Sequence, residues 1–142
     1  MTVQDSALAR IRAINETAAF NRWCGIDVLS ADAGRVEIGM PWREEAGQYA
    51  GFLHAGLVGA LIDTACGFAA ATLVGRVLAS HYTVNCLRPA VGERFVARAR
   101  VVKPGKTLVF TACELYAVQG GEEKLVATGE TLLSVVGSER TS

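Results

Sequence analysis

Apolar and polar positions along the chain switch between two periods. Between Ser6 and about Asn21, Leu8, Ile11, Ile14 and Ala18 recur three or four residues apart, which predicts a short amphipathic helix with Asp5 or Ser6 as its N-cap. From Ile26 to Met40 the pattern becomes Ile26, Val28, Val36, Ile38 and Met40 around Ala31-Asp32-Ala33-Gly34, the signature of two short strands joined by a turn, with Pro41 ending the second. Residues 42–53 read as a loop. The apolar tract after it reads as a helix running to about Leu73 and stopping at Gly75. Arg76 to Leu87, Arg94 to Val102, Thr107 to Val118 and Lys124 to Val136 read as further strands. Turn signals at Pro89-Ala90-Val91-Gly92, Lys103-Pro104-Gly105-Lys106 and Gln119-Gly120-Gly121-Glu122 separate them, so the last three join as an antiparallel meander. The expected architecture is α+β, a single domain over 1–142 with an N-terminal helix over about 6–21 and a core over about 22–136. In it, one layer of about five or six antiparallel strands packs against one long apolar helix.

That helix holds the chain's most unusual side chain. From Ala46 to Val74 the only residue charged at neutral pH is Asp63. Leu57, Leu61, Ala65 and Phe68 share one helical face, which reads as core. The opposite face carries Gly56, Gly59, Ala60, Cys66, Gly67 and Ala70, so nothing bulky surrounds the carboxylate and another backbone or a ligand has room to approach. A solvated helix face normally carries Lys, Glu, Arg or Gln, and their absence marks Asp63 as a functional group rather than a surface charge. A membrane span is disfavoured, because the tract is rich in Gly and Ala and a central Asp costs roughly 2.5–3.5 kcal/mol on insertion.

Composition narrows the options. With 142 residues there is room for one domain with a real core. Lys plus Arg and Asp plus Glu number 14 each, so no net field draws the chain to nucleic acid or an anionic membrane. Cys24, Cys66, Cys86 and Cys113 are far apart and lie in apolar patterns, which reads as four small core residues of a reduced, cytoplasmic protein. The N-terminus lacks the basic region and hydrophobic run of a secretion signal. Two histidines, His54 and His81, form no metal-ligating spacing, so no metal site is expected.

Three motifs, in order, resemble those of the hotdog-fold acyl-CoA thioesterases, in particular the phenylacetate-degradation type of the 4-hydroxybenzoyl-CoA thioesterase superfamily. They are Gln48, Gly51, Leu53-His54-Ala55-Gly56 and Asp63; Thr83-Val84-Asn85-Cys86-Leu87-Arg88-Pro89; and Lys103-Pro104-Gly105-Lys106. The resemblance spans about Phe20 to Val136. Two positions depart from the family pattern: Gln48 stands where an Asn is usual, and Ala55 replaces the first Gly of a His-Gly-Gly triplet. The resemblance implies a sheet wrapped around the long helix and a homodimer, or a dimer of dimers, with sites at the interface. It also implies hydrolysis of an aryl- or medium-chain acyl-CoA without any cofactor beyond the CoA of the substrate.

Thioester hydrolysis needs an attacking water or carboxylate and a group that holds charge on the carbonyl oxygen. Asp63 serves as general base or as nucleophile. The N–H groups of Ala55 and Gly56, with the positive end of the helix dipole behind them, form an oxyanion site. His54 orients the turn or contacts the carbonyl, Thr64 positions water or bonds its own backbone, and Gln48 sits where the family holds its amide. Arg88, Lys103 and Lys106, with Pro89 and Gly105 beside them in the substrate-binding motifs, are candidates to hold CoA phosphates or are ordinary solvated turn charges, and Trp42 and Tyr49 are candidates to line the acyl pocket or pack a dimer. Asp63 lies eight residues beyond Ala55, ~12 Å along a helix axis, so the two serve a common carbonyl only if a second chain supplies one of them. Two rival readings remain: a non-catalytic acyl-CoA-binding hotdog domain, and a hotdog hydratase or dehydratase, whose cooperating His and acid do not match the spacing of His54 and Asp63.

Overall fold

The computed structural model describes residues 2–137. Thr2 opens the first helix with a capping box: its hydroxyl accepts from Asp5 N at 3.1 Å, and Asp5 Oδ2 accepts from Thr2 N at 3.3 Å. Helix α1 (Val3–Thr17) therefore starts earlier than the periodicity suggested, with Asp5 inside its first turn. The expected helix to Asn21 is also two helices, because Ala18 is extended and α2 (Ala19–Cys24) restarts behind it. A buried polar pair holds the break. Asn21 Nδ2 donates to Asn15 Oδ1 at 3.0 Å and Asn15 Nδ2 donates to Ile26 O at 2.9 Å, tying the corner to the first strand.

The strands are β1 (Asp27–Asp32) and β2 (Arg35–Pro41), then β3 (Val77–Cys86), β4 (Arg94–Lys103), β5 (Leu108–Gln119) and β6 (Glu122–Val135) after the long helix α3 (Ala55–Val74). They form one six-stranded sheet in the order β1-β2-β4-β5-β6-β3, antiparallel at every junction. The meander β4-β5-β6 stands as expected, and β3 adds to its far side. Alternation sets which face is core. Along β5, Val109, Thr111, Cys113, Leu115 and Ala117 point inward and are buried, while Leu108, Phe110 and Glu114 are exposed. The β4–β5 turn depends on Gly105, where a Cβ would meet Leu108 O at 2.2 Å.

Helix α3 lies in the concave face of this sheet and packs against β1 through β6. It is long and apolar enough to cross a membrane by composition, yet Leu61, Ile62, Ala65, Cys66, Ala69 and Ala70 are all buried within the chain, so it is a core helix. The small-residue face is narrower than the helical wheel suggested: Cys66 and Ala70 are fully buried against the sheet, leaving Asp63, Thr64 and Gly67 half-buried. Gly59 lies against β3, where a Cβ would rest in ordinary contact with the Tyr82 ring at 3.4 Å. At the end of α3, where the last turn has no basic residue of its own, Arg10 of α1 donates to Ala71 O at 3.0 Å and Thr72 O at 3.5 Å. The guanidinium thus satisfies carbonyls left open by the helix end and pins α1 over it.

Three of the four cysteines, Cys24, Cys66 and Cys113, are buried; Cys86 is exposed on β3, contrary to the expectation for all four. The reason is the strand it sits on. β3 is the sheet's outer strand, ten residues long, with Leu78, Tyr82 and Cys86 exposed and no element of the described chain along its free edge. The other edge strand, β1, is covered by α1.

The closest seating of α3 on the sheet is at Gly129 of β6, where a Cβ would fall 2.5 Å from Thr83 O and 2.8 Å from Ile62 Cγ2. Gly129→Ala is expected to cost roughly 1–3 kcal/mol by forcing helix and strand apart, lowering Tm by about 3–10 °C in a thermal melt. An unchanged Tm would show that the helix–sheet spacing is not held there.

Candidate active site

The loop before α3 is shaped by its own backbone. Gln48 N donates to Phe52 O at 2.8 Å, and the turn between them places Ala50 (φ 50) and Gly51 (φ 79) in the left-handed region. Leu53 N then donates to Ala90 O at 2.9 Å and His54 N to Ala46 O at 2.9 Å, so the helix start is anchored on both sides before the first turn is made. His54 is the N-cap of α3: its Nδ1 accepts from Gly56 N at 2.8 Å. This bond separates the two amides proposed as oxyanion donors. The Gly56 N–H is taken by the histidine ring, whereas the Ala55 N–H has no partner among the described residues. With Nδ1 accepting, the neutral ring carries its proton on Nε2.

Ala55 lines a cavity of about 280 Å³ with Gln48, Arg88, Pro89, Leu87 and Cys86. Thus four of the expected site residues, from the loop, the helix start and the segment after β3, come together. Arg88 is exposed, and its side chain makes no hydrogen bond or ion pair among the described residues.

Asp63 and Thr64 are elsewhere. They line a second cavity of about 630 Å³ with Gly67, Phe68 and Ala71 of α3, Ile14 of α1 and Val77-Leu78-Ala79 at the start of β3. Asp63 is half-buried, has no hydrogen-bond partner among the described residues, and its pKa is raised because burial strips water from the charged form. The donor amide and the carboxylate therefore sit in separate cavities of one chain, at opposite ends of β3. Of the remaining candidates, Lys103 and Lys106 are exposed on the β4–β5 turn, at the end of the sheet opposite Arg88. Trp42 borders neither cavity: it packs edge-on against Phe95 at 6.4 Å between ring centres and under Gly47, where a Cβ would meet it at 2.6 Å. Tyr49 is exposed and also borders neither. The contribution of α1 through Arg10 and Ile14 was not readable from the motifs. Its only signal was an apolar helix ending without a basic residue in its last turn.

The raised pKa of Asp63 has a sign that thermal melts detect. A carboxyl whose folded pKa lies above its unfolded value stabilises the fold when protonated and loses that contribution as pH rises through the folded pKa. Asp63→Asn is therefore expected to raise Tm at neutral pH, and the gain is expected to vanish below about pH 3.8, where both states of the wild type are protonated. A gain that persists at low pH would have another cause.

The family model of the thioesterase superfamily matches residues 50–124, which include the helix start, Asp63, Arg88 and the Lys103–Lys106 turn. The chain is 36% identical to human acyl-coenzyme A thioesterase 13 over 123 residues, covering 84% of this chain and 86% of that one. A crystal structure of a thioesterase family protein from Silicibacter pomeroyi superposes with a TM-score of 0.88 at 38% identity, covering 92% of this chain and 99% of the other. The E. coli PaaI protein from the phenylacetic acid degradation operon superposes at 0.86 with 26% identity, covering 96% and 97%. Sheet order, buried helix and motif order agree with these likenesses: the chain belongs to the thioesterase superfamily and has its hotdog fold.

Proposed function

We propose that the protein hydrolyses acyl-CoA thioesters at two sites shared between the subunits of a homodimer, with Asp63 as general base. The observation that carries this reading is the placement of two incomplete half-sites at the two ends of an edge strand whose outer side is unpaired among the described residues. The cavity of Ala55 borders Cys86 and Leu87 at the end of β3, and the cavity of Asp63 borders Val77, Leu78 and Ala79 at its start. Antiparallel pairing of β3 with a second copy about a two-fold axis brings the start of one strand beside the end of the other. The carboxylate half of each chain then faces the amide half of its partner. The same pairing removes an exposed sheet edge.

In such a site the thioester carbonyl oxygen rests on the partner's Ala55 N–H, at the positive end of a 20-residue helix. Asp63 takes a proton from water as the water oxygen bonds to the carbonyl carbon, and its raised pKa makes it the stronger base for that transfer. The tetrahedral oxyanion is held by the amide. Its collapse breaks the carbon–sulfur bond, and the proton on Asp63 passes to the departing thiolate. Thr64, bordering the same cavity as Asp63, would hold the water, and the partner's Gln48, bordering its Ala55 cavity, would orient the carbonyl from the other side. The nucleotide lies outside, where Arg88 of one chain and Lys103 and Lys106 of the other come to the same end of the joined sheets. The absence of disulfides among the four cysteines fits work in the reducing cytoplasm.

Asp63→Asn is expected to lower turnover on acyl-CoA by on the order of a hundredfold or more with binding retained. Folded protein with near-normal turnover would remove Asp63 from the chemistry.

Sharing of the site is tested with Ala55→Pro, which deletes the donor N–H at the first helical position, where proline is tolerated. His54 is already extended at φ −59, ψ 136, as a residue before proline requires. Co-refolding this inactive variant with Asp63→Ala is expected to recover about a quarter of the wild-type rate, because half of the randomly paired dimers hold one native site. Mixed dimers without hydrolysis would show that the two groups do not meet across an interface.

A further inference from the structure

Asp63, Gly67 and Ala71 all border the larger cavity, and residues four apart on a helix form a line along its axis, ~6 Å per step. Gly67 is the anomaly on that line. Glycine is the poorest helix former after proline, yet Gly67 stands in the middle of α3 with helical backbone angles that any residue adopts. Gly129 is a glycine for a packing reason, with Thr83 O and Ile62 against it, and a Cβ on Gly59 would rest in ordinary contact with Tyr82; a Cβ on Gly67 meets nothing within 4 Å. Among the described residues, a side chain there would extend into the cavity, one helical turn beyond the carboxylate.

The walls continue past it. Phe68 of α3, Leu133 of β6 and Ile14 of α1 supply apolar surface, and Arg10 holds α1 in place by its bonds to Ala71 O and Thr72 O. Arg10, Asn21 and Arg76 line the cavity as well, and its apolar lining lets the acyl group of a thioester with its carbonyl beside Asp63 run over Gly67 toward Ala71. We propose that Gly67 is the specificity-determining residue of the site, its missing side chain forming the gap through which acyl chains longer than a few carbons pass. The inference rests on the thioesterase reading for the placement of the carbonyl and goes beyond it in assigning chain-length selection to one position.

The test uses the full chain and its Gly67→Ala and Gly67→Leu variants. Each methylene kept out of the cavity loses about fourfold in affinity, so blocking two or more is expected to reduce the ratio of kcat/KM for dodecanoyl-CoA over acetyl-CoA at least tenfold in Gly67→Leu. Gly67→Ala is expected to give a smaller fall in the ratio and a Tm higher by about 2–4 °C, the reverse of what a packing role produces. Binding of free dodecanoate, measured by calorimetry, gives a readout independent of hydrolysis: wild type binds and Gly67→Leu loses at least tenfold. If no acyl-CoA is hydrolysed while dodecanoate binding still falls in Gly67→Leu, the hydrolase reading fails and the gap stands. An unchanged chain-length ratio, equal dodecanoate binding in both proteins, or loss of the oligomer on substitution would overturn the assignment.

Discussion

Everything in this molecule depends on one buried helix being both core and chemistry. Helix α3 packs against all six strands, and Leu61, Ile62, Ala65 and Ala69 are buried along its continuous 20 residues. Its amide end and its carboxylate therefore stand a set distance apart, ~12 Å between Ala55 and Asp63. No side-chain rotation closes that gap. A chain built this way carries two half-sites, each lacking what the other holds.

The sheet resolves the geometry that the helix imposes. Because β3 follows α3 and returns along its length, its two ends lie beside the two half-sites, and because it joins the sheet at the outside, its edge is open. The most exposed part of the fold and the incomplete parts of the site are thus the same strand. Half-burial of Asp63 without a hydrogen-bond partner among the described residues carries a stability penalty at neutral pH, tolerable because α3 is otherwise well packed.

Local hydrogen bonding divides the labour further. His54 caps the helix with Nδ1 and so occupies the amide of Gly56, leaving that of Ala55 open. The replacement of a glycine by Ala55 keeps the N–H in place. Arg10, at the far end, performs the complementary task of satisfying carbonyls and closing the carboxylate cavity with α1.

Periodicity alone was enough to place all six strands, the long helix and its stop at Gly75, because alternation and turn glycines are written into neighbouring residues. The isolation of Asp63 and its distance from Ala55 were also legible, being consequences of helix geometry. The break at Ala18 was not: it depends on Asn21 bonding Asn15 and Asn15 bonding the carbonyl of Ile26, contacts invisible to a wheel. Nor was the exposure of Cys86, the packing of Trp42 beneath Gly47, or the use of α1 as a cavity wall, since each is decided by which strand ends at the edge and which helix crosses it. Spacing along the chain determines what a helix or strand presents; only the tertiary arrangement decides what stands opposite, because burial and hydrogen bonding are properties of pairs brought together from distant positions.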